Sequence, residues 1–365
     1  MPDRLINLTM DERSNRVYSL IQRNRKAVGQ RILGMKQPTN VKWSDVVLLF
    51  MPLLFILIFI PPGNTDAPKA QPSMIPAKET SVRIVVYNPE ASLVDDVDLE
   101  DYLVGVVAAE MPTSFHEEAL KAQAVAARTF AVSRMKGLYG TSTNHFGAHV
   151  CTDSGHCQAW VSKEVYLARH GSEEGWLKIQ KAVADTRGQI MTYDGVVINP
   201  LYHANSGGAT EDIQEVWSMV GEVPYLKSVY SPEDANYAQY EKESLFAWED
   251  MVKKIKAQYP EARLGEDPKK EIEILSYSTS GRVTAIRLGS ITLSGVDFRE
   301  LMSLRSTYIE ISFPDKNTVK IVTKGYGHGV GMSQCGADAL GRQGMDYIEI
   351  LEHYYTGVKV EELAQ

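Results

Sequence analysis

Hydrophobic and polar positions change rhythm several times along this chain, and each change predicts an element. From Val46 to Ile60 there is no alternation: VVLLFMPLLFILIFI runs fifteen residues without a charge, and Trp43 and Ser44 stretch it toward bilayer thickness. The run predicts a transmembrane helix over 43–60, in which Pro52 is tolerable. Residues 61–80, rich in Pro, Ala and polar side chains, have no apolar period and predict an extended linker. Alternation begins at Ser81, where SVRIVVYN is β-branched and reads as a strand. LEDYLVGVVAAEMP then sets Leu103, Val106, Val107 and Glu110 on one helical face, and Pro112 ends that helix just past the glutamate. Ser114 with Glu117 forms a capping-box pattern ahead of an Ala-rich second helix, which Gly137 and Gly140 close. Strand patterns follow at GQIMTYDG, VVINPLYHA, EIEILSYST, RVTAIRLG, TYIEISF and TVKIVTKG, with a helix at FAWEDMVKKIKAQY and another around Gln334 to Gly341. Helices and clustered strands mix without a βαβ rhythm, which predicts one α+β domain over 81–360.

Charge orients this arrangement. The basic segment 1–42 holds nine Lys or Arg, while the first 45 residues hold four acids, a bias that keeps the N-terminus cytoplasmic and the domain outside a cell membrane crossed once. A cleaved signal peptide is the rival, since TDAPKA offers small residues after the apolar run; a basic lead of some forty residues favours the anchor. With 44% hydrophobic and 23% charged residues the chain is globular, not disordered. The part beyond residue 45 carries 29 basic and 42 acidic residues, a formal charge of about −13. That excludes nucleic acid as a partner and gives no polybasic lipid-binding surface.

Three cysteines are too few for a disulfide scaffold, yet HFGAHVCTDSGHCQAW gathers two of them with three of the eight histidines. His145, Cys151, His156 and Cys157 make a complete tetrahedral nitrogen and sulfur set, which suits zinc better than calcium or magnesium. The segment has few apolar residues to order it by burial, so a structural zinc clipping the loop region 137–170 is the expectation. His149 is the spare ligand. A Cys151–Cys157 disulfide and a catalytic zinc with an open position are the alternatives. Cys335 reads as a small buried residue.

Three further segments, AAEMPTSFHEEALKAQAVAARTFAV, YHANSGGATEDIQEVW and GYGHGVGMSQCGADALGRQGMDYIEILEHYYTG, appear in order. Together they resemble the stage II sporulation protein D family, grouped with the amidase enhancer, over roughly 80–360. The resemblance implies a peptidoglycan lytic transglycosylase of the engulfment stage of sporulation, with Glu110 as catalytic acid. It further implies glycan strands freed of stem peptides as substrate, and the sporulation stage II proteins P and M as partners. The residues add a physical reason: a carboxyl sharing a face with Leu103, Val106 and Val107 is partly desolvated, which raises its pKa toward that of a general acid. The bland alternative is a structural carboxylate, paired with Arg128 or bonded to amides at the next helix start. Tyr202, His203, Asn205, Ser206 and Gly207 suit sugar hydroxyls and N-acetyl groups, although Gly207 and Gly208 equally fit a tight turn. His328, Ser333 and Gln334 are candidates to line the same groove. The glycines from 325 to 331 are not a phosphate loop, and Ser333 with His328 lacks the nucleophile elbow of an acyl hydrolase. A noncatalytic glycan-binding enhancer of an amidase is the competing class.

Overall fold

The computed structural model of the 365-residue chain describes residues 81–139, 145–170, 172–217 and 221–363. The basic segment 1–42, the span 43–60 and the linker 61–80 lie outside them. Among the described residues no helix is long and apolar enough to cross a membrane.

Helices and antiparallel-rich sheets share the domain, as the α+β expectation requires, and two hydrophobic cores organise it. The first core is built on α1 (Leu99–Glu110) and α2 (Glu117–Met135). Asp98 caps α1 by accepting the amide protons of Glu100 and Asp101, and Met111 turns extended ahead of Pro112 to end it. The predicted face is inside, with Leu103, Val106 and Val107 at 0% exposure, but Tyr102, Val104, Gly105 and Ala108 are buried as well. α2 meets α1, the helices Glu173–Asp185, Gln334–Arg342 and Tyr347–Tyr354, and the strand Gln189–Tyr193. A helix with neighbours on so many sides needs small side chains all round, which is what its alanines provide.

The capping box is not formed. α2 starts two residues later than Ser114 suggests, with His116 as N-cap: its Nδ1 accepts from the Glu118 amide at 3.4 Å. The His116 amide donates to Asp338 Oδ1 at 2.5 Å, so a carboxylate 222 residues away supplies what a local box would have supplied. Arg128 also corrects a local reading. Buried at 0% exposure, it donates from Nε and Nη2 to Glu100 at 2.8 and 2.6 Å, not to Glu110, and its remaining protons reach the Val183 and Gln189 carbonyls. Glu100→Ala would strand that guanidinium without its counter-charge and is expected to cost about 3 kcal/mol. Denaturant melts giving a loss below about 1 kcal/mol would show the pair to be dispensable.

β1 (Arg83–Asn88) and β2 (Leu93–Asp98) form a hairpin, and β3 (Val150–Cys151) joins β1 in parallel, pairing Tyr87 with Cys151. The predicted strands at 189–193, 272–277, 283–288, 308–312 and 318–324 are all present. VVINPLYHA splits into Val196–Val197 and Tyr202–His203, because Pro200 has no amide proton for a ladder. The second core lies within residues 248–321, between the sheet 272–277/283–288/291–294, the sheet 308–312/318–324/241–247, and the helices Trp248–Gln258 and Gly295–Met302. The edge strand Glu241–Ala247 and the helices at 163–170, 173–185, 295–302 and 347–354 were not legible as patterns.

Candidate functional site

Glu110 closes α1, half-buried, where the chain turns extended. Its Oε1 accepts the Ala159 amide proton at 3.0 Å and its Oε2 accepts from the Gln334 side-chain amide at 3.3 Å. Burial pushes the Glu110 carboxyl above its ordinary range, and the two hydrogen bonds offset only part of that; no second carboxylate contributes. The Gln334 amide also lies 3.4 Å from Gln123 Oε1, inside α2. The Tyr202 hydroxyl donates to Gln158 Oε1 at 2.8 Å, and Gln158 in turn donates to the Tyr102 hydroxyl at 3.4 Å. Burial first, then the nearby Glu110 charge, holds the Tyr202 phenol far above its usual value. The structure thus brings Glu110, Tyr202 and Gln334 together, and adds Gln123, Gln158 and Ala159. Gln123 had a signal in the sequence: it is a polar residue on the buried side of an otherwise alanine-rich helix.

Asn205, Ser206 and Ser333 are placed elsewhere. All three are at 0% exposure and hold Asp234, in the turn Pro232–Asn236, which the sequence did not single out. Ser333 Oγ donates to the Asp234 carboxylate at 2.8 and 3.0 Å, the Ser206 amide donates at 2.7 Å, and Ser206 Oγ donates as well. Asn205 donates its amide to the Asp234 carbonyl at 3.0 Å. Burial raises the Asp234 carboxyl, and the bonds from Ser206 and Ser333 act against it. Ser333 also caps the Gln334–Arg342 helix, so its hydroxyl is committed and makes no pair with His328.

The glycine ladder is where residues 325–331 cross 201–207 backbone against backbone, with Asn205 and Tyr326 exchanging amide protons at 3.1 and 2.8 Å. A Cβ on Gly207, which has φ +77°, would stand 2.9 Å from the Lys324 carbonyl, and one on Gly331 would stand 2.0 Å from the Leu201 oxygen. These glycines therefore serve packing between chain segments. His203 is buried and donates from Nδ1 to the Val330 carbonyl at 3.1 Å; its ring lies 5.5 Å from that of His328, which meets Trp217 at 5.4 Å. Burial, with Arg299 and Arg282 nearby, holds His328 down to about 3, so it is neutral at physiological pH.

His145, Cys151, His156 and Cys157 converge, with one ligand atom from each within 4.8 Å of all the others. His145 Nε2 is 2.9 Å from His156 Nδ1, and Cys157 Sγ is 3.3 Å from His156 Nδ1 and 3.8 Å from His145 Nε2; Cys151 Sγ is 3.6 Å from His156 Nδ1. Zinc bonds of ~2.0–2.3 Å at tetrahedral angles give ligand separations of roughly 3.3–3.8 Å, so the set fits such an ion with little movement. Cys151 and Cys157 are free thiols. His149 is not in the set: its Nδ1 accepts the Val85 amide proton at 3.0 Å, fixing the loop to β1. Ala159, which holds Glu110, is only two residues beyond Cys157.

Residues 87–193 match the family model described as Stage II sporulation protein. Stage II sporulation protein D of Bacillus amyloliquefaciens is 34% identical over 334 residues, covering 87% of this chain and 93% of that protein. Stage II sporulation protein D of Bacillus subtilis is 34% identical over 288 residues, covering 78% of this chain and 80% of that protein. The chain belongs to the stage II sporulation protein D family. The amidase enhancer of Bacillus subtilis is 30% identical over 303 residues, covering 70% of this chain and 39% of that protein.

Proposed function

We propose that this protein is a membrane-anchored lytic transglycosylase that cuts peptidoglycan glycan strands during sporulation engulfment, with its domain on the outer side of the membrane. The observation that carries the reading is the Glu110 carboxyl, desolvated at the end of α1 and held by the Ala159 amide and the Gln334 side chain. Hydrolytic glycosidases generally use two carboxyl groups. A transglycosylase manages with one, because the sugar's own 6-hydroxyl is the nucleophile and no water has to be activated. Glu110, protonated, donates its proton to the glycosidic oxygen as the bond to the anomeric carbon breaks. The resulting carboxylate then takes the proton of the 6-hydroxyl as that oxygen bonds to the anomeric carbon, leaving a 1,6-anhydro end and a neutral Glu110. The Ala159 amide and the Gln334 side chain hold the carboxyl in place through both steps. Strands without stem peptides, and the sporulation stage II proteins P and M, are the proposed substrate and partners.

Zinc at His145, Cys151, His156 and Cys157 is proposed as structural: four protein ligands close its coordination shell, and the ion supplies folding free energy to a loop with little core. Fixing Cys157 also fixes Gln158 and Ala159, which reach Tyr202 and Glu110. The likeness to an amidase enhancer favours a second reading, a noncatalytic glycan-binding enhancer. Mass spectrometry of glycan incubated with the purified full-length protein separates the two: 1,6-anhydro ends support the enzyme, and intact strands with enhanced amidase action support the enhancer.

A further inference from the structure

A cavity of about 170 Å³ opens between the β1–β2 hairpin and the first turns of α1, away from the Glu110 carboxyl. Val86 and Val97 form its sheet wall, Tyr102 and Trp160 its aromatic wall, and Asp95 and Asp101 stand exposed at its rim. Strand register puts Val86 opposite Asp95, so both face one side of the hairpin. Trp160 is held in advance of any ligand: a Cβ on Gly105 would come within 2.2 Å of the indole nitrogen, and the Val161 amide donates to the Gly105 carbonyl at 3.2 Å. A wall fixed this way loses little freedom when something binds against it.

The lining selects a ligand class. It contains no cation, and neither Asp95 nor Asp101 has an ion-pair partner among the described residues, so an anionic ligand would be repelled. What fits is a neutral ring with apolar C–H faces to lie against aromatic side chains and with O–H or N–H groups to donate to carboxylates. Asp101 precedes Glu110 by nine positions on one helix, roughly 13 Å at about 1.5 Å per residue. A ring hydrogen-bonded at the Asp101 rim is therefore not the one whose bond lies at the Glu110 carboxyl, while Ala159 and Trp160 join the two places through adjacent residues.

We propose that this cavity is a distal subsite for a neutral N-acetylated amino sugar, one that carries no lactyl carboxylate, of the same glycan strand whose scissile bond lies at Glu110. The inference rests on the glycan reading above. It makes cleavage depend on strand length, because only a strand long enough to fill both places gains the extra contacts.

The test uses the full-length protein carrying Glu110→Gln, titrated calorimetrically with chito-oligosaccharides of increasing length, with and without Asp95→Asn and Asp101→Asn. Affinity is expected to rise with length until the oligomer spans the cavity. The rim substitutions should remove that rise, weakening long oligomers about tenfold, as expected for losing a charged hydrogen bond, while leaving short ones unchanged. Length dependence that survives both substitutions overturns the proposal, as does displacement by a lysine-containing stem peptide with no response to sugar. Binding is read without turnover, so failure of the cleavage reading and failure of the subsite are separate outcomes. In the otherwise wild-type enzyme, the rim substitutions should raise KM for long strands with kcat unchanged.

Discussion

Glu110→Gln is expected to abolish strand cleavage, by about 10²–10⁴-fold, and to leave the melting temperature at neutral pH equal to or above that of the wild type. Both outcomes have one cause. Burial raises the folded-state pKa of Glu110 above its unfolded value, so the fold prefers the protonated form. The corresponding stability is fully present below the unfolded pKa of about 4.3 and is lost as pH rises through the folded pKa, where a desolvated charge must be carried. Glutamine has the same shape, still accepts the Ala159 amide proton, gives up the acceptor for Gln334, whose amide keeps Gln123 as a partner, and never ionises. The protonated form that the fold prefers is the form the proton-donating step needs. Wild-type activity should fall as pH rises through the raised pKa, because only the protonated carboxyl donates. Release of anhydro products across pH, alongside thermal melts, measures both effects. A variant that retains cleavage near the wild-type rate removes Glu110 as the acid.

Metal removal is the second large effect. One zinc per chain is expected by elemental analysis, and a chelator or Cys151→Ser should lower metal content and melting temperature together. Structural zinc contributes about 10–16 kcal/mol to binding in small peptides. Here β3 still pairs with β1, and His149 still accepts from Val85, so only part of that is exposed to loss. A loss of about 4 kcal/mol would lower the melting temperature by roughly 8–16 °C, and zinc should restore it. Activity should fall with it, since Cys157 anchors the segment carrying Gln158 and Ala159 to the Glu110 side chain. Protein purified under reducing conditions that holds no metal, with both thiols reacting freely, would overturn the site. Loss of metal with unchanged activity would instead detach it from Glu110.

The sequence by itself determined what depends on near neighbours. The rhythm of apolar residues placed α1 and half of the described strands, Pro112 fixed where α1 stops, and the spacing of His145, Cys151, His156 and Cys157 lies within thirteen residues, short enough for a local loop to close on one point. Only the tertiary structure decided which distant groups meet. Arg128 could have served Glu110 or Glu100, and packing of α2 on α1 chose Glu100. Asp338 took the amide that a local capping box would have satisfied, and Asp234 claimed Asn205, Ser206 and Ser333, three residues that a linear reading gives to a substrate. Hydrogen-bond donors and acceptors look alike in a sequence whether they end up facing solvent or each other. Burial is decided by contacts across the whole chain, and once inside, a polar group must be answered by whichever partner the fold brings within reach.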